Sequence, residues 1–114
     1  MMTIVYYDNF PMTFYKVPKY IYEMEEFENL SSDAIILYGL ILDRASLSKK
    51  NEWKDKKDHY YVYLNPEDAA KILRQDVEVI KDYYKELQEY GLIEIFEKNE
   101  RDALIYPKVA IGAT

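Results

Sequence analysis

The sequence predicts an α+β, mainly helical chain, on three observations. Residues 66–73 and 76–90 are amphipathic runs separated by only Arg74-Gln75, a spacing that suits two helices crossing at a steep angle. Gly91 closes the second run, and glycine adopts the left-handed conformation of a helix stop at little cost. Two strand-length runs follow directly, Leu92-Ile93-Glu94-Ile95-Phe96 and Ala103-Leu104-Ile105-Tyr106, around the polar tip Lys98-Asn99-Glu100-Arg101-Asp102. Short helix, turn, longer helix and β-hairpin, in that order, are the plan of a winged helix-turn-helix with a small β-sheet and a wing hairpin.

Each element has a local reason. Residues 1–17, with Pro11 and little periodicity, are expected to form an extended N-terminal arm, and residues 18–114 the winged helix-turn-helix domain. Phe14-Tyr15-Lys16-Val17 is extended because the residue before a proline avoids the helical region. Pro18 suits the first turn of a short helix running through Met24. Ser31 or Ser32 can cap the next helix, with Asp33 complementing its positive end, and the apolar pattern carries that helix to about Leu47. Ala34, Leu37, Tyr38, Ile41 and Ala45 form one stripe, while Ile36, Leu40 and Leu47 fall outside it. A helix apolar on most sides is central to a domain or packs on a second chain. Residues 48–58 read as a lysine-rich loop, with Trp53 expected to anchor it on the core.

His59 through Leu64 is aromatic and β-branched, the signature of a strand, with His59 a polar residue at its start. Asn65-Pro66-Glu67 is a helix start: asparagine caps, proline takes the first helical position, and glutamate meets the dipole. That helix ends at Leu73. Asp76 caps the longer one, which ends at Tyr90. No Asn-Gly pair pins the register of the final hairpin.

The chain has 114 residues, one domain's worth, and 49% of them are hydrophobic, enough for a core. It contains no cysteine and one histidine, which excludes thiolate metal sites and multi-histidine clusters. No nucleophile elbow, P-loop or other glycine-rich cradle is present, so no cofactor, metal or enzymatic activity is expected. The N-terminus lacks a basic segment followed by an apolar stretch, and no apolar run approaches the ~20 residues that span a bilayer. A cytoplasmic location is the expectation.

Net charge is −6, against a generic polyanion binder. Segments 1–31, 65–91 and 92–114 are acidic, and only 32–64 has a basic excess, from Lys49, Lys50, Lys54, Lys56 and Lys57. Tyrosine occurs 13 times, an excess that needs a use.

If the fold binds duplex DNA, the cations it can bring to one surface are Lys81 and Lys85 on the second helix and Lys98 and Arg101 on the wing. Arg74 and Gln75 at the turn complete the set of candidate DNA-binding residues. Competing readings stay beside the sharp ones. Asp76 reads as a cap before it reads as a base contact. Glu78 and Asp82, four apart, form a solvated face before a carboxylate pair. Tyr84 belongs to the core, since Val77, Ile80, Tyr84 and Leu87 share helical spacing. Tyr83 and Val79 fill either the core's edge or a partner surface. The lysines at 49–57 form a solvated loop or grip phosphates, and Arg101 pairs with Asp102 or Glu100 or enters a minor groove.

The residues also carry a resemblance. Phe14-Tyr15-Lys16-Val17-Pro18-Lys19, Asn29-Leu30-Ser31, Asp33-Ala34, Leu37-Tyr38 and Leu42 through Ser48 match in order. So do Lys50-Asn51, Trp53, Asp55, Ile72-Leu73 and Glu86 through Ile93. Over residues 14 to about 106 the chain resembles the N-terminal domain of RepA_N-type plasmid replication initiators of low-GC Gram-positive bacteria. The resemblance implies a dimeric winged helix that binds repeated origin DNA. It also implies a separate C-terminal domain, engaging host replication proteins, which these 114 residues do not include. The family's reading helix usually carries Lys, Asn and Ser in its first two turns. Here Asp76, Val77, Glu78, Val79 and Asp82 stand there, and carboxylates repel phosphates.

The resulting expectation is a DNA-binding winged-helix protein, acting as a dimer on specific duplex repeats. The homodimer would use the arm, helix 32–47 or both. The alternative is an acidic interaction module or inhibitor from a mobile element that docks a protein partner, even as a DNA mimic. A purely structural dimerisation domain is the third reading.

Overall fold

The computed structural model describes residues 2–7, 11–97 and 103–111. Its elements are α1 (Tyr20–Glu23), a 3-10 turn (Glu25–Phe27), α2 (Ser32–Lys50), α3 (Pro66–Leu73), α4 (Val77–Glu89), β1 (Ile93–Glu97) and β2 (Ala103–Pro107). The first helix begins two residues after Pro18, whose carbonyl accepts the Ile21 N–H, and it is shorter than expected. Among the described residues, no helix is long and apolar enough to cross a membrane.

Helix α2 is the centre of the core. Ser31 caps it, its Oγ accepting the Ala34 N–H at 3.2 Å. A capping box would place Glu or Gln three residues on, to take the cap's own N–H. Ala34 stands there instead, and Glu86 of α4 supplies the carboxylate. It accepts the Ser31 N–H at 2.6 Å and the Ser31 hydroxyl at 2.9 Å. The helix continues past Leu47 to Lys50. Ser48 is buried with its hydroxyl on the Arg44 carbonyl, and Lys49 and Lys50 favour the negative end of the dipole.

The expected stripe packs inward: Ala34, Leu37, Tyr38 and Ile41 are fully buried, and Ala45 partly so. Leu40, expected outside the stripe, is buried as well, because α2 meets α4 and β2 and is crossed by the end of the arm. That crossing needs Gly39, where a Cβ would stand 3.3 Å from the Lys16 carbonyl oxygen. Ile36 and Leu47 stay exposed, as expected.

Helices α3 and α4 have the expected caps. Asn65 Oδ1 accepts the Asp68 N–H and Asp76 Oδ1 the Glu78 N–H, both at 2.8 Å. The expected strand at His59–Leu64 is not continuous. Backbone pairing is confined to two bridges, Lys54 with Tyr60 and Val62 with Ile105. The pattern was strand-like, but the segment meets β2 at one residue pair before Asn65 turns it into α3.

The wing is an antiparallel pair with Ile93 opposite Pro107, Ile95 opposite Ile105 and Glu97 opposite Ala103. Ile93, Ile95 and Ile105 therefore face α4 and the core. Two tyrosines are core residues with satisfied hydroxyls. Tyr38 donates to the Lys108 carbonyl at 2.6 Å and lies against the Tyr20 hydroxyl, and Tyr84 donates to the Leu64 carbonyl at 2.8 Å. Burial pushes both phenols well above their ordinary range. Trp53 is not a core anchor. It is 45% exposed, since its turn follows the extended end of α2 and lies outside the packed layers.

Candidate nucleic-acid interface

Helix α4 is held at both ends and along one face. Asp76 caps its start. Its end is a full Schellman arrangement, with the Leu92 N–H on the Leu87 carbonyl and the Gly91 N–H on the Gln88 carbonyl, both at 3.0 Å. Gly91 has φ +76°, and Leu87 and Leu92 are both buried. Ile80, Tyr84 and Leu87 point inward, while Glu86 and Tyr83 dock on the start of α2. The Tyr83 hydroxyl donates to Asp33 Oδ2 at 3.0 Å, and that bond raises its pKa. Tyr83 thus fills the core's edge, whereas Val79 remains 36% exposed.

The outward side of α4 faces the wing across a cleft of about 700 Å³. Lys81 and Lys85 line it with Glu67, Glu78, Asp82 and Glu97, beside Asn65 and Ile95. Lys81 Nζ lies 3.2 Å from Glu78 Oε1, and both side chains are largely in solvent. An exposed pair of this kind contributes at most about 1 kcal/mol, so Lys81 is available to a phosphate. The structure thus brings Lys81 and Lys85 together beside the wing. Arg74 and Gln75 are exposed at the turn that leads into α4, outside the cleft. Lys98 and Arg101 lie outside the described residues.

Arg74 has φ 55° and ψ 48°, a left-handed conformation that costs a non-glycine residue about 1–2 kcal/mol. The Gln75 N–H reaches the Ala70 carbonyl at 3.0 Å across it. Nothing in the sequence announces this, since arginine is not a stop residue. Lys71, exposed in the last turn of α3 and three residues before Arg74, is a further cation that sequence reasoning passed over.

The carboxylates of this region divide in two. Asp76 and Glu86 are taken up by backbone N–H groups, so Glu86 is not part of an exposed acidic stripe. Glu67, Glu78 and Asp82 remain in solvent. Among the described residues no group of His, Cys, Asp and Glu side chains is arranged to hold a metal.

A short helix, a tight turn, a second helix with one free face and a two-stranded wing directly after it define the winged helix-turn-helix class. Residues 13–111 match the family described as replication initiator protein A (RepA) N-terminus. The chain belongs to this RepA_N family. It is similar to the solved N-terminal domain of a DNA-binding protein, with TM-score 0.78 and 28% identity, covering 89% of this chain and 78% of that one. A Rep–DNA complex gives TM-score 0.77 and 28% identity, covering 90% and 79% of the two chains. An MDR initiator gives 0.71 and 32%, covering 88% and 80%. A 41 kDa protein of Lactobacillus helveticus is 32% identical over 85 residues, which are 75% of this chain and 24% of that protein. The chain thus spans about a quarter of that relative's length.

Proposed function

We propose that this domain binds duplex DNA for a replication initiator, with α4 in the major groove and the wing over the adjacent backbone. The observation that carries the reading is the placement of Lys81 and Lys85 on the free face of α4 beside the wing, in a chain of the RepA_N family. A structurally similar chain is described as part of a Rep–DNA complex. Arg74 and Gln75, exposed at the turn that leads into α4, extend the contact surface. The domain acts by binding rather than by catalysis, and a cytoplasmic location fits that role.

Charge decides how it binds. Screening limits reach to about 8 Å at physiological ionic strength, so the groups at the cleft count most: Lys81 and Lys85 must reach phosphates past Glu67, Glu78, Asp82 and Glu97. The working form is a homodimer on repeated sites. Met2, Ile4, Tyr6, Tyr7, Phe14 and Tyr15 of the arm are exposed, as are Ile36 and Leu47 of α2, and a second copy would cover them. Contacts with host replication proteins belong to the part of longer initiators that this chain does not span.

The test is binding to duplex DNA selected from a random pool, measured as a function of salt. Wild type is expected to bind with an affinity that falls steeply as salt rises. Arg74→Ala with Lys81→Ala should lower that salt slope by about 0.9 per phosphate contact removed. Absence of duplex binding at low salt overturns the reading and leaves α4 as a docking surface for a basic protein. A double variant with unchanged slope places the DNA elsewhere. Light scattering that reports a monomer at high micromolar concentration overturns the dimer.

A further inference from the structure

The tyrosine excess is only partly absorbed by the core. The outer face of the wing sheet, turned away from α4, holds a second aromatic set. The β1–β2 register places Phe96 opposite Leu104 and Glu94 opposite Tyr106. The Val62–Ile105 bridge then sets Tyr61 beside Tyr106 and Tyr63 beside Leu104, and the Lys54–Tyr60 bridge sets Trp53 across from Tyr61. The ring contacts agree: Tyr61 lies 5.5 Å from Tyr63 and 6.3 Å from Tyr106, edge to face in both cases. Leu104 is only 5% exposed, yet it stands apart from the main core. It is the floor of a separate apolar cluster roofed by these rings. Tyr63 is 49% and Phe96 57% exposed, so broad aromatic surface is left in water.

Trp53 is flanked in the chain by the exposed Lys49, Lys50, Lys54, Lys56 and Lys57, and Lys49 lines a hollow with Tyr106 and Glu94 of the wing. The nearby carboxylates are largely occupied. Asp55 Oδ1 accepts the N–H groups of Lys57 and His59 at 2.8 and 3.0 Å. Asp58 pairs with Lys54 at 3.3 Å, and Glu94 with Lys108 at 3.0 Å. Glu52 adds one more negative charge. Lys49, Lys50, Lys56 and Lys57 have no carboxylate partner among the described residues. Residues 49–58 thus carry five lysines against three carboxylates, a basic excess, whereas residues 65–91, which contain α3 and α4, have four basic and seven acidic side chains.

We propose that the outer face of the wing sheet binds single-stranded nucleic acid, with bases stacked on Trp53, Tyr63 and Phe96 and the backbone held by Lys49, Lys50, Lys56 and Lys57. Aromatic rings on a sheet beside a basic border are the means by which proteins hold unpaired bases without reading sequence. Lysine is depleted in protein–protein interface cores, so the flanking lysines favour a polyphosphate over a protein. The face is distinct from the α4 cleft, which is lined by the opposite side of the same sheet, and does not depend on duplex binding there.

The single tryptophan is the reporter. Titration of the protein with a twelve-residue oligo(dT) at low salt should quench Trp53 fluorescence and raise the anisotropy of the labelled strand. Tyr63→Ala and Phe96→Ala should each weaken binding about tenfold or more. Lys56→Ala with Lys57→Ala touches only surface side chains, so the fold should survive, and the salt slope should fall by about 1.4. Arg74→Ala with Lys81→Ala should leave oligo(dT) affinity unchanged. An unquenched tryptophan with flat anisotropy overturns the proposal. So does an equal loss in the Arg74/Lys81 variant, which would mean one shared site. A free protein whose dimer dissolves on Phe96→Ser overturns it too, since the face would then be covered by a second copy.

Discussion

Helices α3 and α4 end in the same backbone geometry by different means. At α4 the left-handed residue is Gly91, and the residues bracketing it, Leu87 and Leu92, are both buried. At α3 the left-handed residue is Arg74, bracketed by Ala70 and the exposed Gln75. The first stop is built for stability: a residue without Cβ strain, fastened by an apolar contact. The second holds a strained cation at the entrance to the proposed DNA-reading helix. Strain of this kind persists where surrounding structure over-determines it, and it concentrates at functional sites. The comparison teaches that one capping geometry can be built without strain on a glycine or held, at a cost, on an exposed cation.

The largest expected effect tests the fastening of α4. Leu87→Ala removes a fully buried side chain and should lower stability by about 2–5 kcal/mol in a denaturant melt. A value near zero would dissolve the contrast. Glu86→Ala tests the second tie of α4, the carboxylate that completes the α2 cap. Loss of its charge-assisted bonds should destabilise by about 1.5–3 kcal/mol. Gly91→Val isolates the backbone term, because a Cβ there has nothing within 4 Å. The loss should be about 1–2 kcal/mol from φ alone, and a much larger loss in thermal melts would show steric crowding instead.

The smallest effect is the most discriminating. Arg74→Gly relieves the left-handed strain but adds backbone freedom to the unfolded chain, for a net gain of about 0.5–1 kcal/mol. The same variant should bind duplex DNA more weakly, with the salt slope reduced by about 0.9. Stability and affinity moving in opposite directions would establish the contrast between the two stops. If both fell, Arg74 would be a structural residue.

Much of the fold was legible because its signals are local. Asn65-Pro66, Asp76 and Gly91 act within one turn of helix, and each does what its spacing implies. The hairpin was legible from two apolar runs about a polar tip. The candidate site was legible in part, since Lys81 and Lys85 fall on one helix face at a four-residue spacing and line a cleft shared with the wing. Trp53 was misread because a lone tryptophan does not say which face of the sheet its turn lies on. The strand at residues 59–64 was misread because an aromatic and β-branched run reports local propensity, while a strand needs a continuous partner.

The sequence by itself determined the order of the helices and the hairpin, the capping residues Ser31, Asn65 and Asp76, the glycine stop at Gly91, and the apolar face of α4. Those properties rest on interactions between residues a few positions apart. Only the tertiary structure decided that Glu86 closes the cap of a helix 55 residues away, that Arg74 is left-handed, and that Leu104 lies under a second aromatic cluster. Each of these depends on which surfaces meet after the chain has folded back on itself, and residue spacing carries no record of that meeting.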